Sequence, residues 1–129
     1  VGEKRDTKIS LIFRSFGFKY GIPADADMVF DIRCLPNPYW IEELREMTGL
    51  EKAVEDYLEK NESAKIMYED INSYLMKWVP KFEEDNRAYL TVAIGCTGGR
   101  HRSVYFAQRL GKQFHNLYSN VLIRHRELP

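Results

Sequence analysis

The sequence predicts an α/β domain, a mostly parallel central sheet flanked by helices with a phosphate-binding loop at the C-terminal end of a strand. Three observations predict it. Short runs of β-forming residues recur along the chain, and between some of them the apolar spacing changes to the three-and-four step of amphipathic helices. The run "YLTVAIG" (89–95) is almost wholly apolar, as a strand buried on both faces of a sheet requires. It delivers the chain to "CTGGRHRS" (96–103), which holds a cysteine, two glycines and three basic side chains, and a helical pattern begins at once.

Residues 1–6, "VGEKRD", read as a linker remnant, and residues 7–129 as one α/β domain. In "TKISLIFRSF", Ile9, Leu11 and Phe13 alternate with opposite-face positions, which is strand one. Gly17, Gly21 and Pro23 break the loop that follows. "MVFDIRCL" (28–35) is a second strand, closed by the prolines of "PNP". Ala53, Tyr57 and Leu58 mark a short helix. Met67, Ile71, Tyr74, Leu75 and Trp78 then mark a longer one that stops near Pro80, with Tyr74 and Trp78 in the core. After the third strand, "RSVYFAQRLGKQFHN" (102–116) is helical and "NVLIRHREL" (120–128) is a last strand.

The 129 residues, 44% hydrophobic, suffice for one core. There is no apolar run long enough to span a membrane and the start is charged, so a cytoplasmic chain without a membrane partner is expected. Cys34 and Cys96 are expected as free thiols. The net charge is zero, yet residues 40–86 carry six Lys/Arg against thirteen Asp/Glu, and residues 87–129 carry seven against one. That split predicts an anion-binding face in the last third. Arg100, Arg109, Lys112, Arg124, His125 and Arg126 are its candidates for RNA phosphates.

In parallel sheets, ligands sit outside the carboxyl ends of the strands, where "RSFGFKYG", "DIRCLPNPYW" and "GCTGGRHRS" would meet. A loop between a buried strand and a helix aims several backbone N–H groups at one spot, and the helix dipole adds partial positive charge. Gly98 and Gly99 allow the tight fold this needs, and Arg102 can bring a bidentate guanidinium over an anion, with charge added by Arg100 and His101. The pattern Cys-x5-Arg-Ser, from Cys96 to Arg102 and Ser103, is also that of cysteine-dependent phosphatases. Such an enzyme needs a general acid as well as its nucleophile, and Asp31 is the acid in the neighbouring loops. The bland alternative is that Cys96 fills space and the glycines only mark a turn. No GxxxxGK[ST] occurs, and no His, Cys or Asp group has metal-ligand spacing, so neither a metal nor a cofactor is expected here.

"FRSFGFKYGIP" (13–23), "VFDIRCLPNPYW" (29–40) with "MTGL" (47–50), and "YLTVAIGCTGGRHRSV" (89–104) with the closing "RHRELP" together closely resemble the C-terminal domain of the RapZ/YvcJ family of bacterial proteins. The resemblance covers residues 8–128. It implies a regulatory domain, without chemistry of its own, that senses a phosphorylated aminosugar such as glucosamine-6-phosphate. It further implies a small regulatory RNA, an endoribonuclease and a homo-oligomer as partners. ATP and GTP hydrolysis in full-length members would belong to an N-terminal P-loop domain absent from these residues. Carried onto this sequence, the sugar-phosphate pocket would comprise Thr97, Gly98, Gly99, His101 and Arg102, joined by Asn37 and Tyr39. A third reading is an oligomerisation module for that nucleotide-binding domain.

Overall fold

The computed structural model describes residues 9–129, so the linker expected at residues 1–6 lies outside the described residues. Four strands form one all-parallel sheet in the order β2-β3-β1-β4. They are β1 (Ser10–Gly17), β2 (Met28–Asp31), β3 (Tyr89–Cys96) and β4 (Val121–His125). Three α-helices join them: α1 (Lys52–Glu59), α2 (Glu62–Glu84) and α3 (Arg102–His115). Short 3-10 turns occupy Phe18–Tyr20, Pro38–Trp40 and Glu42–Leu44.

Period-two geometry puts Leu11 and Phe13 of β1 on the same face as Leu90, Val92 and Ile94 of β3, and all five are fully buried. The helices cover that face. Phe114 of α3 meets Phe13 at 5.4 Å between ring centroids, and Tyr68 of α2 meets Phe106 of α3 at 5.8 Å. Right-handed crossovers from β2 to β3 and from β3 to β4 both run the same way along the sheet, so α1, α2 and α3 share one side.

The middle of the chain departs from the sequence reading in four places. Strand β2 ends at Asp31 rather than at residue 35, because the chain turns over residues 32–35 toward Pro36. In α1, Val54 is the buried partner of Leu58, whereas Ala53 is exposed. Helix α2 does not stop near Pro80 but runs to Glu84, and Asn86 ends it in the left-handed region at φ 63°. An interior proline costs about 3 kcal/mol. Burial of Val79 and packing of Phe82 against the core, on either side of Pro80, hold the last turn nonetheless.

Tyr74 and Trp78 are not core residues. The buried stripe of α2 is Ala64, Tyr68, Ile71, Leu75 and Val79, and each aromatic precedes a stripe position by one residue, or 100° of rotation. They are 45% and 39% exposed and form an edge ladder with Phe30 of β2. Among the described residues no helix is long and apolar enough to cross a membrane.

Candidate functional site

Three strand-end loops converge, as parallel strands require. The Lys19 N–H donates to the Thr97 carbonyl at 3.2 Å, laying the loop after β1 against the loop after β3. The loop after β2 is drawn in by Arg102, whose Nη1 donates to the carbonyls of Arg33 (2.9 Å) and Leu35 (2.8 Å). Between them opens a cleft of about 400 Å³. Cys96, Thr97, Gly98, Gly99, Arg100, His101 and Arg102 form one wall, and Asn37 and Tyr39 stand on another, so the structure brings these nine expected residues together.

The loop from Cys96 to Arg102 is fixed by contacts only glycine allows. A Cβ on Gly17 would lie 2.6 Å from the Gly98 carbonyl carbon, and Gly99 has φ +75° with the Gly17 nitrogen 2.5 Å from where its Cβ would be. Behind the loop, the Gly17 N–H donates to Glu127 Oε2 at 3.0 Å. Gly49 of "MTGL" serves the other side. Its N–H donates to the Arg100 carbonyl at 2.8 Å, and a Cβ there would meet the His101 carbonyl oxygen. The Cys96 sulfur is buried in the loop, accepting the Gly99 and Ser103 N–H groups at 3.3 and 3.4 Å, and the thiol donates to the Ser103 hydroxyl at 3.1 Å. Ser103 is therefore a support beneath the loop and not part of the cleft's lining. Cys34 and Cys96 are both free thiols.

The remaining amides are open. Gly98, Arg100 and His101 donate their N–H groups to no other described residue. Arg102 is 3% exposed, a permanent cation that meets no carboxylate at ion-pair distance among the described residues. Its Nη2 lies 3.5 Å from the Thr97 hydroxyl and its buried Nε has no acceptor. Burying a charge with no carboxylate at ion-pair distance is expensive, and an anion in the cleft that Arg102 lines would offset part of that cost.

His101 behaves differently from the expectation that it adds charge. Burial lowers its pKa, so the ring is neutral at pH 7, and Nε2 donates to the Leu44 carbonyl at 3.1 Å. It positions the Leu44–Arg45 turn. Asp31 is also no acid for this cleft. It ends β2 in a two-bond fork with Arg33, which holds its carboxyl below the ordinary value, and it does not line the cleft. The arrangement can hold an anion but offers no proton donor for phosphoryl hydrolysis from that residue.

Sequence reasoning missed Lys19, Tyr20, Trp40, Arg45 and Glu46, which complete the lining. Lys19 and Arg45 lie over the rings of Tyr20 and Tyr39 at 5.2 and 5.1 Å, and the Arg45 Nε also donates to the Tyr39 carbonyl. Four cations thus face one carboxylate, Glu46. Their place immediately after strand one and after "PNPYW" is the signal that could have found them.

The six candidate RNA contacts are not one surface. Arg100 belongs to the cleft, whereas Lys112 and Arg124 line a separate groove of about 610 Å³ between α3 and β4, with Gln108 and His115. Arg109 stacks on Tyr68 at 4.0 Å and donates to the Tyr105 hydroxyl. His125 lies inward between the Ser15 hydroxyl and the Gln108 amide, at 2.8 and 2.7 Å. Arg126 donates to the Gly21 carbonyl and to Glu127 and covers Phe16. Among the described residues no three His, Cys, Asp or Glu side chains are grouped to hold a metal ion.

Comparison with known proteins adds a lineage to this geometry. A family model described as the RapZ C-terminal domain matches residues 9–129. A Pseudomonas putida protein called a nucleotide-binding protein is 58% identical over 119 residues, 92% of this chain and 42% of its own. Proteins of the same name from Marinobacter nauticus and Saccharophagus degradans are 50% identical over 129 residues and 53% identical over 128, in each case across 44% of the relative. The chain spans less than half the length of these relatives.

Proposed function

The chain belongs to the RapZ C-terminal domain family, and on that premise we propose that it is a cytoplasmic regulatory domain whose cleft senses a phosphorylated aminosugar such as glucosamine-6-phosphate. The observation that carries this reading is the buried guanidinium of Arg102, with a spare donor and no carboxylate at ion-pair distance among the described residues, beside the open amides of Gly98, Arg100 and His101. A phosphate monoester dianion supplies the acceptors and the countercharge both lack. Lys19, Arg45 and Arg100 add attraction at the mouth, Asn37 offers an amide, and the exposed faces of Tyr39 and Trp40 suit the carbon face of a sugar ring.

In the same reading the domain acts without chemistry of its own. It contacts a small RNA, for which Lys112 and Arg124 in the α3–β4 groove are the best-placed cations, and serves an endoribonuclease as part of a homo-oligomer. The nucleotide binding in the relatives' names is assigned to the part of those proteins that this chain does not span. Thermal shift tests the sensing role. Glucosamine-6-phosphate at a hundred times its dissociation constant should add about 2.7 kcal/mol of stability. If neither hexosamine nor hexose phosphates raise the melting temperature at millimolar concentration, the proposal fails.

A further inference from the structure

We infer that Arg102 is a two-sided strut through which occupancy of the anion site orders the segment Arg33–Ile41. This rests on the sensing reading and names the regulation of the same site. The guanidinium is planar and has two usable edges. Both hydrogens of Nη1 are spent on the carbonyls of Arg33 and Leu35, which lie 69 and 67 residues away in the chain. The other edge, formed by Nε and Nη2, carries one donor without an acceptor and one only loosely directed at the Thr97 hydroxyl. Two parallel N–H groups on that edge match two oxygens of a phosphate. An anion can therefore be taken up without releasing the carbonyls, and by adding a countercharge at contact distance it fixes the side chain that holds both.

What hangs on the strut includes two exposed aromatic rings of the cleft lining, Tyr39 and Trp40. Immediately beyond Leu35 the chain makes the Pro38–Trp40 turn, capped by the Asn37 side chain accepting from the Tyr39 N–H at 3.1 Å. Tyr39, Trp40 and Ile41 stand 47%, 73% and 37% exposed there. Besides Arg102, the segment is fastened by burial of Leu35 and Pro38, and by three polar contacts: the Arg33–Asp31 fork, Arg33 over the Phe18 ring at 3.9 Å, and Arg45 on the Tyr39 carbonyl. The three polar contacts lie at the surface, where they are weak, so Arg102 is the segment's one buried side-chain polar tie among the described residues. Ligand occupancy is thereby converted into the order of an aromatic surface that a partner can read.

Hydrogen exchange on the full chain tests this, with calorimetry reporting binding in parallel. Glucosamine-6-phosphate should slow amide exchange across 33–41 by about tenfold to a hundredfold, the worth of one charge-assisted hydrogen bond. Inorganic phosphate at higher concentration should do the same. In Arg102→Lys, whose single ammonium cannot span two carbonyls and an anion, the segment should exchange faster without ligand and stay unprotected with it. Heat of binding with unchanged exchange at 33–41 overturns the strut and leaves the sensing reading standing. Absence of any heat overturns both. Should Arg102→Lys fail to fold, the wild-type comparison with and without ligand decides alone.

Discussion

Two sets of cations come from the same basic third of the chain and end in opposite states. Around the cleft, the Arg100 side chain meets no acceptor among the described residues, and the buried Arg102 has no carboxylate at ion-pair distance among them and a spare donor at Nε. Away from it, Arg126 is spent on the Gly21 carbonyl and Glu127, and Arg109 on the Tyr105 hydroxyl and the Tyr68 ring. Charge count along the sequence cannot tell these apart. The difference is made by which acceptors the fold brings near: Arg126 and Arg109 are engaged within the protein, whereas Arg102 is tied to two carbonyls through Nη1 alone and the Arg100 side chain to no acceptor among the described residues.

The glycine pair gives the sharpest break between holding and binding. Gly99→Ala forces a side chain into the backbone of Gly17 and against Glu127, at positive φ, and should cost roughly 3 kcal/mol or more in a denaturant melt. Gly98→Ala meets nothing within 4 Å and should melt like wild type while weakening phosphosugar binding in calorimetry. Equal losses of stability would mean the two glycines do one job.

Next in size is the contrast between two arginines. Arg126→Ala removes a 2.7 Å bond to the Gly21 carbonyl and a charged partner of Glu127, and should lower stability by about 1–2 kcal/mol with ligand affinity retained. Arg100→Ala should leave stability within about 0.5 kcal/mol and weaken the ligand about tenfold. A reversed pattern would undo the comparison.

Acid should treat the two regions alike. Burial lowers the pKa of His101 in the cleft and of His125 beside β4. The unfolded chain therefore binds protons that the folded one refuses, so stability is full above the unfolded value near 6.5 and falls as pH drops below it. Melting temperature should decrease from pH 7 to pH 5, and His125→Gln should flatten that slope. An increase on acidification would show the histidines acting as paired cations. The smallest effect belongs to the groove: replacing Lys112 and Arg124 by alanine should leave melting unchanged and reduce the salt slope of RNA binding by about 2.

The sheet, α3 and the loop around Cys96 were legible because apolar runs and glycines act locally. The continuation of α2 through Pro80 was not, since it depends on Val79 and Phe82 finding the core. Nor was the exposure of Tyr74 and Trp78, which a one-residue phase error on a helix converts from core to flank. At the site, the lining from Cys96 to Arg102 follows from the strand-to-helix switch. The ties of Arg102 to Arg33 and Leu35, the neutral His101 on the Leu44 carbonyl, and the arrival of Lys19 and Arg45 all join residues distant in sequence. Periodicity and spacing carry no trace of such meetings.

A crystal structure with glucosamine-6-phosphate bound decides whether the Arg102 loop is the anion site. The phosphate should sit on the Gly98–His101 turn with an oxygen within hydrogen-bonding distance of the Arg102 Nε, while Nη1 keeps both carbonyls. Density for the phosphate in the α3–β4 groove against Lys112 and Arg124, with the Arg102 Nε still unpartnered, would contradict it.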